Sequence, residues 1–245
     1  APIDLNLTLS KGIYNVIEII PDEIITNHLK VTYDGSRFDE NDILQIAVVE
    51  RYGKGLKPSL GLVKGTGLTK GAIASSVAHD SHNIIVIGKT KEEMAFAVNT
   101  LIKEGGGFCV TEGNKVLSCL PLPIAGLLSL ESAETITENI EELRASFKKI
   151  GVILKEPFLQ MAFLALPVIP ALKITDKIVN VLFPIHKAVK NIYFLQIILS
   201  RISPVRVYFH LFPELNDQMQ YEWALLDTHD GLTDYYKHFR TQSQL

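Results

Sequence analysis

The apolar positions in the first half of the chain fall into short β-type runs separated by turn residues. Residues 14–20 (YNVIEII) are apolar and β-branched and stop at Pro21, and residues 31–33 lead into Asp34-Gly35, a dipeptide that predicts a hairpin turn. Residues 43–50 (ILQIAVVE) predict a buried strand, residues 72–78 continue an apolar run, and residues 84–88 (IIVIG) predict a central strand. The period then changes. Thr90 with Glu93 forms a capping box, and Met94, Ala97, Val98, Leu101 and Ile102 repeat at helical spacing until Gly105-Gly106-Gly107 ends the helix. Residues 108–110 and 115–117 flank Glu112-Gly113-Asn114 as a hairpin. A second amphipathic helix carries Ile136, Ile140, Leu143, Phe147 and Ile150 on one face and glutamates on the other. Strands and helices interspersed in this way predict an α/β fold of α+β-like character, a mixed β-sheet flanked by helices.

Composition adds a seam. Of twenty aromatic residues, nine lie in residues 1–177 and eleven in the last 68, whereas fifteen of sixteen glycines precede position 178. Two pieces are therefore expected, 1–177 and 178–245, the second mainly helical and poorly packed. A net charge of −3 over 245 residues argues against a globally basic nucleic-acid binder. The longest uncharged stretch, 157–172, is interrupted by Pro167 and Pro170, so no membrane span is expected. The first twenty residues carry Asp4 and Glu18 without a basic start and an apolar block, so no signal peptide is expected and a cytoplasmic location follows. Cys109 and Cys119 are placed to face each other across the hairpin, but a reducing compartment argues against a disulfide.

Candidate chemistry concentrates in His79-Asp80-Ser81-His82-Asn83. Five consecutive polar side chains between two buried strands must occupy a turn, because a sheet core would leave them unpaired. A histidine beside an aspartate can move a proton near neutral pH, and serine or asparagine can orient a polar substrate. The alternative is a turn in which Asp80, Ser81 and Asn83 satisfy their own backbone. His79 and His82 at i, i+3, with no H-x-H or H-E-x-x-H motif, make a weak metal signal, and no metal site is expected in these residues. The glycine-rich stretch 61–71 lacks the Lys-Ser/Thr ending of a phosphate loop and reads better as tight turns. No G-x-S-x-G motif is present. In the tail, Trp223, Asp227, His229, Asp230 and Asp234 are read as helix surface rather than a pocket.

The run GLVKGTGLTKGAIASSVAHDSHNIIVIG, residues 61–88, closely resembles the signature of the C-terminal domain of bacterial adenine deaminases. YNVIEIIPDEIIT upstream, and LPLPIAGLLS and PFLQMAFLALPVIPALKITD downstream, resemble the same domain in the same order, over residues 1–177. The resemblance implies hydrolytic deamination of adenine to hypoxanthine and ammonia in an enzyme with a dinuclear manganese or iron centre. It also implies His79, Asp80 and His82 as catalytic residues, and Ser81, Asn83, Glu50 and Lys64 as substrate-binding residues of a purine site completed by a metal-binding amidohydrolase barrel in cis or in trans. Such enzymes place their metal ligands in that barrel, and none is expected here, so the chain alone is expected to be inactive. The family usually has histidine where Tyr52 stands and an aromatic where Thr66 stands. Residues 178–245, through FPELNDQMQYEWALLDTHDGLTDYYKHFRT, resemble a late segment of class I S-adenosylmethionine-dependent methyltransferases, without the glycine-rich turn that holds the cofactor. Two rival readings are a non-catalytic purine-binding or assembly module, self-associating as a homo-oligomer through residues 158–172, and a methyltransferase remnant.

Overall fold

Apolar runs long enough to bury both faces of a strand organise this chain. The computed structural model describes residues 3–35, 38–53, 57–79, 81–166 and 172–175. Asp80, the 178–245 tail and the pocket considered there lie outside the described residues. Strands β1 (Gly12–Ile19), β2 (Thr26–Tyr33), β3 (Ile43–Val49), β4 (Ser59–Lys64), β5 (Ala72–Ser75), β6 (Ile84–Gly88), β7 (Gly107–Glu112) and β8 (Lys115–Pro121) form one sheet in the order β2-β1-β4-β3-β6-β5-β7-β8. The β1/β4 pair is parallel and the other pairs are antiparallel, so the sheet is mixed, as expected. Helices α1 (Lys91–Glu104), α2 (Ala133–Lys149) and α3 (Pro157–Leu164) cover it. No helix among the described residues is long and apolar enough to cross a membrane.

The period of two divides the core. Ile46 and Val48 of β3 and Ile85 and Ile87 of β6 join Leu143 and Phe147 of α2 and Met161 and Leu164 of α3 on one face. Their neighbours Ala47, Val49, Ile84 and Val86 join Met94, Ala97, Val98 and Leu101 of α1 on the other. Both central strands are therefore apolar at nearly every position. Ile102 falls outside the stripe and is 54% exposed.

Three local expectations change. The β1–β2 hairpin turns after Ile19, where Glu23 N–H donates to the Ile20 carbonyl and Asp22 adopts φ 62°. Asp34-Gly35 instead ends β2 and leads through a short 3₁₀ turn, Phe38–Asn41, to β3. A strand buried on both faces needs a central place between β4 and β6, which a hairpin partner of β2 would not have. The capping box also closes side chain to side chain. Thr90 Oγ accepts from Glu93 N–H at 3.2 Å and donates to Glu93 Oε2 at 3.0 Å, while Glu93 Oε1 takes the N–H groups of Gly71 and Gly113 at 3.1 and 3.0 Å. Finally, the described part of 158–172 is divided: Met161, Ala162 and Leu164 are buried and Phe158 packs on the core, while Leu159 is 56% exposed.

Cys109 and Cys119 stand opposite each other in the β7/β8 register, both as free thiols. The Cys109 thiol donates to Cys119 sulfur; that hydrogen bond, and then burial, push Cys109 far up, while the same hydrogen bond draws Cys119 down against the opposing effect of burial.

Candidate functional site

Strand register brings distant loops to one edge of the sheet. Val49 lies opposite Ile84, Ser75 opposite both Ile85 and Phe108, and Gly107 opposite Pro121. The segments 50–53, 76–83, 105–106 and 121–126 therefore converge beyond the same strand ends.

Within the turn, His82 N–H donates to the Ala78 carbonyl at 2.7 Å, and His82 itself adopts φ 50°, an uncommon conformation for a residue with a Cβ. The His79 ring lies 5.3 Å from the Phe163 ring and 6.3 Å from the His82 ring, centroid to centroid. Asn83 is buried, and its Nδ2 donates to Ser81 Oγ at 3.3 Å. Asn83 Oδ1 has no hydrogen-bond partner among the described residues. Ser81 and Asn83 are thus bonded to each other through their side chains, while one buried acceptor, Asn83 Oδ1, is left over.

His79 also lines an apolar cleft of about 240 Å³ whose walls include Val77, Phe108, Phe147 and Phe158. Phe108 and Phe158 stack at 4.6 Å, and Arg144 and Glu156, paired at 2.7 Å, close the rim. A cleft walled in this way suits an apolar or aromatic group, with the His79 side chain on its lining.

The residue that sequence reasoning missed is Arg51. Its Nε donates to the His82 carbonyl at 2.6 Å and its Nη2 donates to the Ala125 carbonyl, while Cζ sits 5.1 Å over the Tyr52 ring. The Tyr52 hydroxyl donates to the Ser81 carbonyl at 2.7 Å, and the Glu50 carboxylate accepts from Tyr52 N–H. Ser76 completes the frame: its Oγ accepts from Gly107 N–H at 2.7 Å and donates to the Gly126 carbonyl at 2.6 Å. Arg51 is an ordinary polar residue after a strand, and its partners lie 31 and 74 residues away. No spacing could have announced it.

A family model described as the adenine deaminase C-terminal domain matches residues 23–181. This chain belongs to that family. Among relatives named adenine deaminase, that of Bdellovibrio bacteriovorus is 61% identical over 179 residues, 73% of this chain and 30% of the relative. That of Shewanella halifaxensis is 52% identical over 174 residues, covering 71% and 30%, and that of Escherichia coli O1:K1 / APEC is 52% identical over 164 residues, covering 67% and 28%. The chain spans less than a third of the length of these adenine deaminases. The family match includes β2 to β8, all three helices and every candidate site residue.

Of those candidates, Glu50, His79, Ser81, His82 and Asn83 share one edge. Lys64 does not. It ends β4 opposite Ile43, at the far edge, and pairs with Glu18 at 3.3 Å. Asn27 and Lys64 hold the Glu18 carboxyl below its ordinary value by hydrogen bonding, partly offset by burial.

The glycine-rich loop of this family member is held internally. The Asp42 carboxylate accepts from Gly65 N–H at 3.1 Å and Gly67 N–H at 3.0 Å, and from Thr66 Oγ at 3.3 Å. The loop's N–H groups are thus taken up by a carboxylate of the same chain. Thr66, where the resemblance leads one to expect an aromatic, is fully buried in that turn.

Among the described residues, no three His, Cys, Asp or Glu side chains converge to hold a metal ion. The donor set described here does not fit the dinuclear centre that the resemblance implies.

Proposed function

We propose that this chain is the C-terminal portion of an adenine-deaminating hydrolase, and that its 79–83 turn faces the purine. The observation that carries the reading is the family match across residues 23–181. It contains the turn, its supporting loops and the helices behind them, with 52–61% identity to proteins named adenine deaminase. In the net reaction water adds at the purine carbon bearing the amino group, and that group leaves as ammonia. One proton must leave the water and another must reach the departing nitrogen. His79, Asp80 and His82 are the groups proposed to carry them. Ser81, Asn83 and Glu50 would hydrogen-bond the purine edge, and Lys64, at the opposite edge of the sheet, is left out.

The described residues do not converge on the metal that the family resemblance implies. We place its ligands, for manganese or iron, in the part of the relatives that this chain does not span, and expect the chain alone not to turn over adenine. The test is ammonia release from adenine with added manganese or iron, with and without a separately expressed metal-bearing portion of a relative. Turnover only with that portion, lost in His79→Ala, supports the reading. Turnover by the chain alone, or an active His79→Ala, overturns it.

The short span relative to the adenine deaminases favours one second reading, a purine-binding module without catalysis. It predicts adenine binding by calorimetry and no turnover in either mixture.

A further inference from the structure

We infer that Arg51 is the positioning residue of this site, acting through main-chain carbonyls rather than on substrate. The inference rests on the reading that the 79–83 turn faces the purine. Arg51 and Tyr52 are consecutive, and they grip consecutive carbonyls of the turn: Arg51 Nε holds that of His82 and the Tyr52 hydroxyl holds that of Ser81. The other arm of the guanidinium holds the Ala125 carbonyl, so one planar group fixes the turn against the 121–126 loop. Two carbonyls approaching from different segments need donors at a fixed angle, which a guanidinium supplies and an ammonium does not. The grip falls on His82, whose backbone sits at φ 50°, a conformation that persists only when its surroundings enforce it.

The loop is shaped to receive this arm. Gly126 adopts φ 71°, and a Cβ there would lie 2.5 Å from Arg51 Nη1 and 2.8 Å from its Cζ. Ser76 holds the same glycine through its carbonyl, so Gly126 is fixed to the sheet on one side and leaves room for the guanidinium on the other. Arg51 thereby sets where the side chains of Ser81, His82 and Asn83 stand, without touching a purine itself.

The test compares amide nitrogen–proton spectra of the 245-residue chain with those of Arg51→Ala, Arg51→Lys and Gly126→Ala. The amides of 78–83 and 124–127 are expected to move in all three, those of α1 to stay, and lysine not to rescue. In the ammonia assay with the metal-bearing portion, kcat is expected to fall by about tenfold to a hundredfold while KM changes by less than about threefold, as displacement of a proton-transfer group predicts. Unmoved 78–83 amides in Arg51→Ala, or rescue by Arg51→Lys, overturn the inference. If the unaltered chain gives no turnover with that portion, the adenine reading fails separately, and the spectra alone decide Arg51.

Discussion

Ser75 and Ser76 are adjacent, fully buried and chemically identical, yet their removal should differ by about 2 kcal/mol. Ser76 Oγ bonds Gly107 N–H and the Gly126 carbonyl, 31 and 50 residues away, and both glycines are buried. Ser76→Ala loses two hydrogen bonds worth about 1 kcal/mol each and leaves a buried donor and a buried acceptor unpaired, so about 3 kcal/mol is expected. Ser75 Oγ accepts from Val77 N–H at 2.9 Å and donates to the Val77 carbonyl at 3.3 Å, two residues on. A local turn of this kind also forms in the unfolded chain, so Ser75→Ala should cost about 1 kcal/mol. The void left by the hydroxyl is the same in both variants and cancels in the comparison. Urea unfolding with an m-value of about 2 kcal/mol/M would place the midpoints about 1 M apart, with Ser76→Ala the lower. Equal midpoints, or a lower one for Ser75→Ala, would refute the claim that Ser76 ties the 121–126 loop to the sheet.

Other expectations follow from single contacts. In thermal melts, Gly71→Ala should prevent folding or cost more than about 4 kcal/mol, since its Cβ would lie 2.0 Å from the Thr111 carbonyl oxygen at φ 75°; Gly113→Ala, at φ 56° with nothing within 4 Å, should cost about 1 kcal/mol. Glu93→Ala should cost about 2–3 kcal/mol in urea, more than the roughly 1 kcal/mol of Thr90→Ala, because its carboxylate holds two turns besides the helix start. Burial pulls Lys173 down to about 8 from 10.5, so between those values the unfolded chain binds more protons and stability rises with pH; below about 8 the penalty is constant. Lys173→Met should remove that rise, about 1 kcal/mol after screening of a partly exposed amine, as read from urea midpoints at pH 7.5 and pH 10 relative to the unaltered chain.

What the sequence disclosed of the fold follows burial. β3 and β6 stand out because both of their faces are covered, leaving continuous apolar runs. β2 shows only its last residues, since it is the edge strand of its side and most of its positions are exposed or half-buried. β4 is hidden by Gly61 and Lys64, although Gly61 is where a Cβ would come within 3.2 Å of Ile174 Cδ1. The α1 cap is visible in Thr90 and Glu93, but the use of the Glu93 carboxylate is not, because Gly71 and Gly113 reach it only after β5 and the β7–β8 hairpin have docked. Hairpin position failed at Asp34-Gly35 for a related reason: turn chemistry is local, whereas the partner of β3 is decided by which strand needs a fully covered place.

The candidate site divides along the same line. A polar pentad between two apolar runs is visible because burial forbids it anywhere but a turn, and register then places Glu50 beside it through the Val49–Ile84 pairing. Lys64 joins it only through the family resemblance, yet it ends a strand antiparallel to β3 and so lies at the other edge. Arg51, Ser76 and Gly126 act through main-chain atoms of segments distant in sequence. Nothing in their residue types marks that role, since any carbonyl offers the same acceptor wherever it occurs. The chemistry-bearing side chains of such a site can therefore be read from composition and spacing, whereas the residues that aim them become visible only when the loops have been brought to one edge.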